Sequence, residues 1–257
     1  MTAARHAVSD TFVLARRSLF RIRRQPDLLI GYTVQPIMFV LLFVYVFGGA
    51  IRTPGLDYAD FLLPGIIVQS MVFGGFVTAL GLAEDMKKGL IDRFRSLPMT
   101  TSAVITGRTL ADIGANVVQL VVMLAVGLLV GFRFATGPLE IAAGIALVLL
   151  VGYAFSWVFA FLGLTASSPE AANAYGFTVL FPMTFVSSAF VPVETMPGWL
   201  QAIARNNPFT TMVNAARDLF LGIDGGNAVW GAIAWSLGII AVFSVLAVWR
   251  YRRAVLR

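Results

Sequence analysis

The chain contains no cysteine and only one histidine, His6, and these two shortages exclude several kinds of site. Without cysteine there is no disulfide, no thiolate nucleophile and no cysteine metal site. A single histidine in the N-terminal segment also leaves the apolar segments without the side chains of a metal centre or a nucleophile–base pair. Charge is scarce as well, since 12% of the residues are charged and 58% are hydrophobic. This composition indicates an integral membrane protein without an enzyme active site.

Long apolar runs recur at the length that crosses a bilayer. About 20 apolar residues in a helix span the roughly 30 Å hydrocarbon core. From such runs we predict an all-α integral membrane protein, with one domain over residues 1–257 and a six-span bundle over residues 28–249. The predicted spans are Leu28–Gly49, Phe61–Ala83, Ala111–Phe132, Ile141–Ala166, Ala172–Val191 and Val229–Trp249.

The arginine and lysine residues are distributed unequally along this bundle. Fifteen of the nineteen lie in the N-terminal segment, in the loop after span two or in the C-terminal segment. Six spans place all three regions on one side, and basic residues concentrate in cytoplasmic segments. We therefore predict that both termini and this loop are cytoplasmic, and that the segment between spans five and six lies outside.

The N-terminal segment has the pattern of an interfacial helix. Apolar residues from Val8 to Ile22 recur every three or four positions, which puts them on one helical face, and Arg17 and Arg21 belong to a second stripe. A basic amphipathic helix lies in the membrane interface with its arginines toward anionic head groups. We predict such a helix over residues 8–25, ended by Pro26. It either anchors the chain to the membrane or also contacts a cytoplasmic partner.

The cytoplasmic loop over residues 84–98 combines charges with large apolar side chains. Leu90, Ile91, Phe94 and Leu97 stand at helical spacings between charged residues. One or two amphipathic turns, ended by Pro98, would offer a contact to a cytosolic protein. An ordinary solvated loop is the alternative, although large apolar residues in a short cytosolic loop favour a partner.

The outer segment over residues 192–226 follows a predicted span yet contains Pro192, Pro197 and Pro208. Hydrocarbon does not tolerate unsatisfied backbone, so such a segment leaves the bilayer or re-enters it inside a protein-lined cavity. Apolar residues such as Trp199 and Phe209 are too frequent for a free solvent loop. We predict short re-entrant or interfacial helices that cap the bundle.

Ionisable residues are missing from the middle of predicted spans one, two and five. Proton or sodium coupling normally requires buried carboxylates, so their absence argues against a nucleotide-independent carrier or channel. The charges at the start of span three, Arg108 and Asp112, are four residues apart and are expected to pair with each other.

The same three spans contain aromatic, methionine and amide or hydroxyl side chains, which favour an apolar or amphipathic cargo. Packing of helix on helix is the alternative use for any one of these residues. The predicted cavity residues are Gln35 and Phe39 in span one, Gln69, Phe73 and Phe76 in span two, and Phe181, Thr184, Phe185 and Ser188 in span five.

Three features of the sequence together resemble the permease subunit of type-2 ATP-binding-cassette exporters, in particular the daunorubicin-resistance branch. They are EDMKKGLIDRFRSLP over residues 84–98, FVPVETMPGWL over residues 190–200 followed by Asn207-Pro208-Phe209, and the arginine-rich N-terminal helix ahead of six spans. The resemblance covers nearly the whole chain. It departs at residues 90–92, where the family usually has Thr-x-Glu.

The resemblance implies a role for each of these segments. The loop after span two would be the coupling helix that docks on a separate ATPase, and the N-terminal helix would connect to the same ATPase. The coupling residues would be Glu84, Asp85, Lys88, Arg93, Phe94, Arg95, Leu97, Arg17 and Arg21. The outer segment would form a lid over the exit, with Pro192, Glu194, Pro197, Trp199, Asn207 and Pro208.

Energy for transport would come from another polypeptide. The chain has no G-x-x-x-x-G-K-[ST], the loop that cradles nucleotide phosphates. We expect no cofactor on this chain, ATP and Mg²⁺ on the partner ATPase, no nucleic acid, and a second permease chain, identical or related. The resemblance implies a bacterial plasma-membrane location and export of a drug, antibiotic, lipid or secondary metabolite by alternating access. The alternatives are a wall-polymer or glycolipid exporter of the same superfamily and a nucleotide-independent transporter.

Overall fold

The computed structural model describes residues 26–51, 53, 55–87 and 101–255. The predicted interfacial helix over residues 8–25 lies outside this part of the chain, as does most of the predicted coupling loop. In the described residues the secondary structure is helical, with no strand, which confirms the all-α prediction. The helices are α1 Pro26–Leu41, continued by a π-helical turn Leu42–Phe47, α2 Tyr58–Gly74, α3 Phe76–Lys87, α4 Thr101–Val130, α5 Pro138–Thr165, α6 Pro169–Phe185, α7 Gly198–Asn206, α8 Pro208–Leu221 and α9 Ala228–Val255.

Four helical segments of the described chain are long and apolar enough to cross a membrane. They are Tyr58–Lys87, which joins α2 and α3, Ile105–Val130, Pro138–Thr165 and Ala228–Arg253. They correspond to predicted spans two, three, four and six. Predicted span one overlaps α1 and its π-helical turn, and predicted span five overlaps α6, which has 17 residues and contains Pro182. The count of six spans stays a prediction.

Helix α5 and the α2–α3 pair form the centre of the molecule. The most apolar stretch of α2–α3 is 78% buried and that of α5 is 56% buried, against 28% for α4 and 17% for α9. Helix α5 packs on α2, α3, α4, α6, α8 and α9. A helix that is apolar on all sides, as α5 is, suits this position because no face needs water. Helices α4 and α9 present apolar outer faces, which fit contact with lipid.

Glycines allow the central helices to approach one another closely. A Cβ atom added at Gly163 of α5 would lie 2.5 Å from the carbonyl oxygen of Ala79 in α3. A Cβ atom at Gly65 of α2 would collide with the backbone of Ala189, which follows α6. Apolar burial does not drive helix association in lipid, so close backbone packing of this kind contributes much of the stability.

The outer segment contains a core helix as well as a surface helix. In α8, residues such as Phe209, Met212 and Phe220 are buried, and the helix packs on α2, α5 and α9. It begins at Asn207, whose side chain accepts a hydrogen bond from the Phe209 amide, and ends at Gly222, where φ is +66°. Helix α7 in contrast exposes most of its residues. The outer segment is thus anchored in the bundle through α8.

Candidate functional site

An aromatic row runs from α1 to α6 through the turn that follows α6. Ring centroids are 5.9 Å apart for Phe39 and Phe43, 4.8 Å for Phe43 and Phe190, 4.8 Å for Phe190 and Phe185, and 4.3 Å for Phe185 and Phe181. The Phe181 side chain is 46% exposed, so the row reaches the surface of the chain. We call these five residues the outer aromatic row.

A second group of aromatic rings extends from the same face of α6 into the core. Phe177 of α6 lies 5.8 Å from Phe73 and 4.9 Å from Phe76. Phe76 in turn lies 4.4 Å from Phe159 of α5. These four residues form the inner aromatic group. The two sets together place nine uncharged, polarisable rings on α1 and its π-helical turn, on α2, α3, α5 and α6, and in the turn after α6.

The structure brings the predicted cavity residues together around these rings, at different depths. Gln35 and Phe181 are exposed, and Phe39, Phe73 and Phe185 are half-buried; Gln69, Phe76, Thr184 and Ser188 are buried. The Gln69 amide donates a hydrogen bond of 3.5 Å to the Thr184 hydroxyl, which links α2 to α6. In this conformation the first five residues are accessible and the other four support them.

The sequence analysis missed four residues of these aromatic sets as cavity candidates, namely Phe43, Phe177, Phe190 and the buried Phe159 of the central helix. Phe43 lies four positions after Phe39, and Phe177 lies four positions before Phe181, so helical spacing was a signal that could have found both. Phe190 lies in the outer motif but faces α1 through the chain turn after α6. Only the three-dimensional path of that turn brings it next to Phe43.

Arg217 of α8 is a buried cation that joins the outer segment to two other parts of the bundle. Its side chain is 4% exposed. Its guanidinium donates to the carbonyl oxygens of Phe61 at 2.9 Å, Ser188 at 2.6 Å and Ala189 at 3.3 Å, and it lies 3.7 Å from the centroid of the Phe61 ring. The sequence analysis treated it only as one of the few arginines on the outer side. A charge within an apolar helix is the signal that marks it.

Asn207 and Ser188 form a second set of contacts between the end of α6 and α8. The Asn207 amide donates to the carbonyl oxygens of Met183 and Val186, both at 2.7 Å. The Ser188 hydroxyl donates to Asn214 at 2.8 Å, and the Ser188 amide donates to the Thr210 hydroxyl at 3.2 Å. These bonds satisfy backbone groups where α6 ends, as a low-dielectric environment requires.

The predicted lid residues divide into anchored and exposed groups. Pro192 and Asn207 are buried, and Pro208 is half-buried at the first turn of α8. Glu194, Pro197 and Trp199 are exposed, with Trp199 exposed to 70%. The predicted lid is therefore mostly exposed over residues 194–199 and buried or half-buried at Pro192, Asn207 and Pro208.

At the opposite end of the bundle, the described part of the predicted coupling region is tied to α4. Glu84 and Asp85 are half-buried at the end of α3, and Asp85 forms an ion pair of 2.8 Å with Arg108. Arg108 also acts electrostatically on Asp112, the partner that the sequence predicted for it. Seven predicted coupling residues lie outside the described residues: Lys88, Arg93, Phe94, Arg95, Leu97, Arg17 and Arg21.

A stripe of polar residues follows one face of α4 into the bundle, and it begins with an ionisable group inside a candidate span. Asp112 is 5% exposed and lies about two turns inside the candidate span that begins at Ile105. It accepts a hydrogen bond of 2.5 Å from Thr78 of α3. Asn116 and Gln119 continue the stripe and are also buried. The sequence analysis named Asp112 only as a partner of Arg108 at the start of span three, and the structure shows that it is buried.

No group of three or more histidine, aspartate or glutamate side chains that could hold a metal ion occurs within the described ranges. The sites with a distinct geometry in this part of the chain are thus the aromatic surface, the Arg217 contacts and the polar stripe of α4.

Comparison with known proteins identifies the kind of molecule that carries these features. Residues 9–221 match the family described as ABC-2 type transporter. The chain is 38% identical over 96% of its length to the daunorubicin resistance ABC transporter permease protein DrrB1 of Streptomyces coeruleorubidus, of which the match covers 87%. It is 26% identical over 98% of its length to the probable doxorubicin resistance ABC transporter permease protein DrrC of Mycobacterium tuberculosis, with 91% of that protein covered. It is also 26% identical over 79% of its length to the probable multidrug ABC transporter permease YbhR of Escherichia coli, with 55% of that protein covered. The resemblance predicted from the sequence is confirmed, and the chain belongs to the ABC-2 type transporter family of permeases.

Proposed function

We propose that this chain is the transmembrane permease subunit of an ATP-driven exporter that moves a hydrophobic or amphipathic compound out of the cell. The observation that carries the proposal is the family match over residues 9–221. Relatives named for daunorubicin and doxorubicin resistance, which are large planar amphipathic compounds by chemistry, favour a drug, antibiotic or similar cargo.

The proposed topology has six spans, both termini in the cytoplasm and a location in the bacterial plasma membrane. Pro26–Phe47, at about 1.5 Å per residue, is about 33 Å long and sufficient to cross the hydrocarbon core. Helix α6 is about 25 Å long, so its crossing requires the turn over residues 186–191, whose carbonyl groups are bonded by Asn207 and Arg217. The distribution of arginine and lysine sets the orientation.

The proposed complex contains a second permease chain and two ATPase subunits. Large apolar side chains are exposed along α1 and α6, including Met38, Tyr45, Tyr175, Val179 and Phe181. A second permease chain packed on these helices would bury them, with the cargo held between the two halves. ATP and Mg²⁺ would bind the ATPase, because this sequence has no phosphate-cradling loop.

The outer aromatic row is the proposed cargo surface. It carries no fixed charge, and its exposed end at Phe181 would face the space between two permease chains. Stacking and dispersion contacts accept many planar or apolar compounds, while Gln35 supplies a hydrogen-bonding group at the same surface. Alternation of this space between inward and outward access would move the cargo.

The end of α3 is the proposed route from ATP hydrolysis to the bundle. The coupling loop begins at Glu84, and the adjacent Asp85 is paired with Arg108 of α4 at 2.8 Å. A displacement of the loop by the ATPase would therefore move α3 and α4 together. Helix α3 also packs against Gly163 of the central helix α5, which would pass the movement on.

Copurification tests the proposed complex. The tagged chain, extracted gently from its native membrane, should carry a near-stoichiometric subunit with a phosphate-loop motif when the sample is analysed by mass spectrometry. Nucleotide depletion should stop efflux in the same cells. Repeated purification without an ATPase, together with efflux that survives nucleotide depletion, would contradict the proposal.

Substitutions in the coupling loop test the proposed route. Glu84→Ala and Phe94→Ala should each abolish efflux while the protein remains inserted in the membrane at its normal level. Glu140→Ala removes an exposed carboxylate from the opposite end of the bundle and should leave efflux unchanged. Normal efflux in both loop variants would show that these residues do not couple the bundle to the ATPase. The proposed overall function would still stand if an ATPase copurifies with the chain.

A further inference from the structure

A small basic pocket lies between the C-terminal ends of α5 and α9. Its cavity volume is about 300 Å³, and it is lined by Phe161, Thr165, Trp249, Arg250 and Arg253. Both helices are candidate membrane spans, and the lining residues occupy their last turns. The pocket is therefore at one membrane boundary, and it is far from the outer aromatic row, which lies along α1 and α6.

The two arginines of this pocket have no carboxylate partner within the part of the chain that the structure describes. The guanidinium of Arg253 lies 4.1 Å from the centroid of the Trp249 ring, an arrangement that holds its planar donor group at the edge of the cavity. Arg250 stands three residues earlier, on the neighbouring turn. Two guanidinium groups that converge on one cavity form a site for a phosphate group, which they bind through several parallel hydrogen bonds.

The remaining walls are apolar or already bonded. The Thr165 hydroxyl donates to the carbonyl oxygen of Phe161 at 2.8 Å, so its lone pairs stay free to accept. The Phe161 ring is fixed edge-on against Phe243 at 5.9 Å. A volume of about 300 Å³ is at the small end for ligand pockets and suits a head group better than a whole lipid or a nucleotide.

An apolar track leads from the membrane to the pocket along the outer face of α9. Val242, Val245, Trp249 and Arg253 are exposed and follow one another at spacings of three and four residues, which places them on one helical stripe. An acyl chain could lie along the two valines while its phosphate reached the arginines. A soluble anion has no apolar part that could pack against this stripe.

We propose that this pocket binds the phosphate group of an anionic phospholipid whose acyl chain lies along α9. In the proposed orientation the pocket faces the cytoplasmic leaflet, where anionic lipids attract basic residues. The competing explanation for Arg250 and Arg253 is general: basic residues at a helix end interact with its dipole and set topology without a specific ligand. The two explanations differ in one expectation. A specific site requires the arginines that line the pocket, whereas a general charge effect would be the same for any arginine in the last turns of α9.

Native mass spectrometry of the full-length chain in detergent distinguishes them. Phosphatidylglycerol and phosphatidylcholine with identical acyl chains are titrated against the wild type, Arg250→Gln/Arg253→Gln and Arg252→Gln. Arg252 lies between the two pocket arginines and does not line the cavity, so Arg252→Gln is the matched control. We expect the wild type to prefer phosphatidylglycerol and the double variant to lose about twentyfold in affinity for it, while Arg252→Gln changes by less than about twofold.

A loss of about fivefold for Arg252→Gln, the same loss per charge as in the double variant, would show a diffuse charge effect and overturn the proposal, as would equal binding of the two lipids by the wild type. If the double variant does not fold, Arg253→Gln alone should lose about fivefold. Inorganic phosphate at the lipid concentration should leave the bound lipid in place. Displacement of the lipid by phosphate would identify a soluble anion as the ligand and contradict the role of α9.

Discussion

Arg217 shows how one side chain connects segments that are far apart in the sequence. It donates to carbonyl groups of α2 and of the turn after α6, and its guanidinium stacks on the Phe61 ring. A buried cation is tolerated in such a place only when its donors are satisfied. The carbonyl oxygens of Ser188 and Ala189 also benefit, because they follow the end of α6 and lie beyond its helical hydrogen bonds. Arg217 therefore stabilises the outer face of the bundle.

Loss of this guanidinium should lower the stability of the protein substantially. Arg217→Gln removes three hydrogen bonds from the charged guanidinium to carbonyl oxygens and a fourth to Asn214. Hydrogen bonds of charged groups contribute about 1.5–3 kcal/mol each, although glutamine recovers part of this by donating to one carbonyl. We expect a loss of about 2–4 kcal/mol in unfolding free energy, visible as a lower thermal midpoint in detergent. Arg205→Gln on the exposed side of α7 is the control and should change the unfolding free energy by less than about 0.5 kcal/mol. Equal midpoints for the two variants would refute the stabilising role.

Asp112 raises a separate question at the residue scale, because an intramembrane carboxylate is a usual sign of ion coupling. Its surroundings favour a packing role instead. It accepts a hydrogen bond from Thr78, and Arg108 and Ser156 also interact with the carboxylate. The carboxylate thus links α3, α4 and α5 at the depth where these three helices meet.

Neutralisation of Asp112 separates these two roles. Asparagine has nearly the same shape and can still accept the Thr78 hydrogen bond, so Asp112→Asn should retain most of the efflux activity if ATP supplies the energy. A proton or cation carrier would lose its coupling group and stop. Efflux in cells that also express the ATPase is the measurement, with membrane levels of the variant checked in parallel. Abolished efflux at a normal level would favour ion coupling and contradict the packing role.

At the scale of elements, close contact between α5 and its neighbours depends on small residues. Gly163 has no space for a side chain because the Ala79 backbone occupies the position that a Cβ atom would take. Gly238 of α9 has open space around it, with no atom within 4 Å of such a position. Both glycines lie in apolar helices, so the sequence does not distinguish them. In the structure, Gly238 has space for a side chain and Gly163 does not.

The pair Gly163→Ala and Gly238→Ala tests this difference. The first substitution forces α3 and α5 apart, which should cost about 1–3 kcal/mol in unfolding free energy. The second removes a flexible residue from an exposed helix face and should be neutral or slightly stabilising. Thermal unfolding of both variants in the same detergent gives the comparison. A midpoint for Gly163→Ala at or above that of Gly238→Ala would show that α5 can move away without loss.

The sequence predicts the long helices of the fold but not the features that depend on contacts between distant residues. Hydropathy predicts the bounds of α5 to within three residues and of α9 to within six, because long apolar runs depend on composition alone, whereas α4 begins ten residues before predicted span three. It predicts neither the burial of α8 nor the polar stripe of α4. The contacts of Arg217 join residues 156 positions apart, and a local window cannot contain both. The outer aromatic row also depends on residues that are far apart in the sequence, because Phe190 contacts Phe43 of the segment after α1 only through the turn that follows α6.

For the whole molecule, the crossing of α6 decides between the possible topologies. Four segments in the described part of the chain are long and apolar enough to cross a membrane, and neither α6 nor α1 is among them. Helix α6 has 17 residues. If α6 crosses, the α5–α6 connection and the outer segment lie on opposite sides of the membrane. If α6 returns without crossing, the two lie on the same side, and the aromatic surface would then face one compartment only.

Single cysteines can decide this question because the natural chain has none. Ser167→Cys lies between α5 and α6, Glu194→Cys lies after α6, and Asp224→Cys lies between α8 and α9; all three positions are exposed. A membrane-impermeant maleimide should label Glu194→Cys and Asp224→Cys in intact cells, and Ser167→Cys only after permeabilisation. The reason is that α6 then spans the hydrocarbon core and separates residue 167 from residue 194. Labelling of Ser167→Cys and Glu194→Cys together in intact cells would mean that α6 does not cross, and the proposed space between two permease chains would lose one wall.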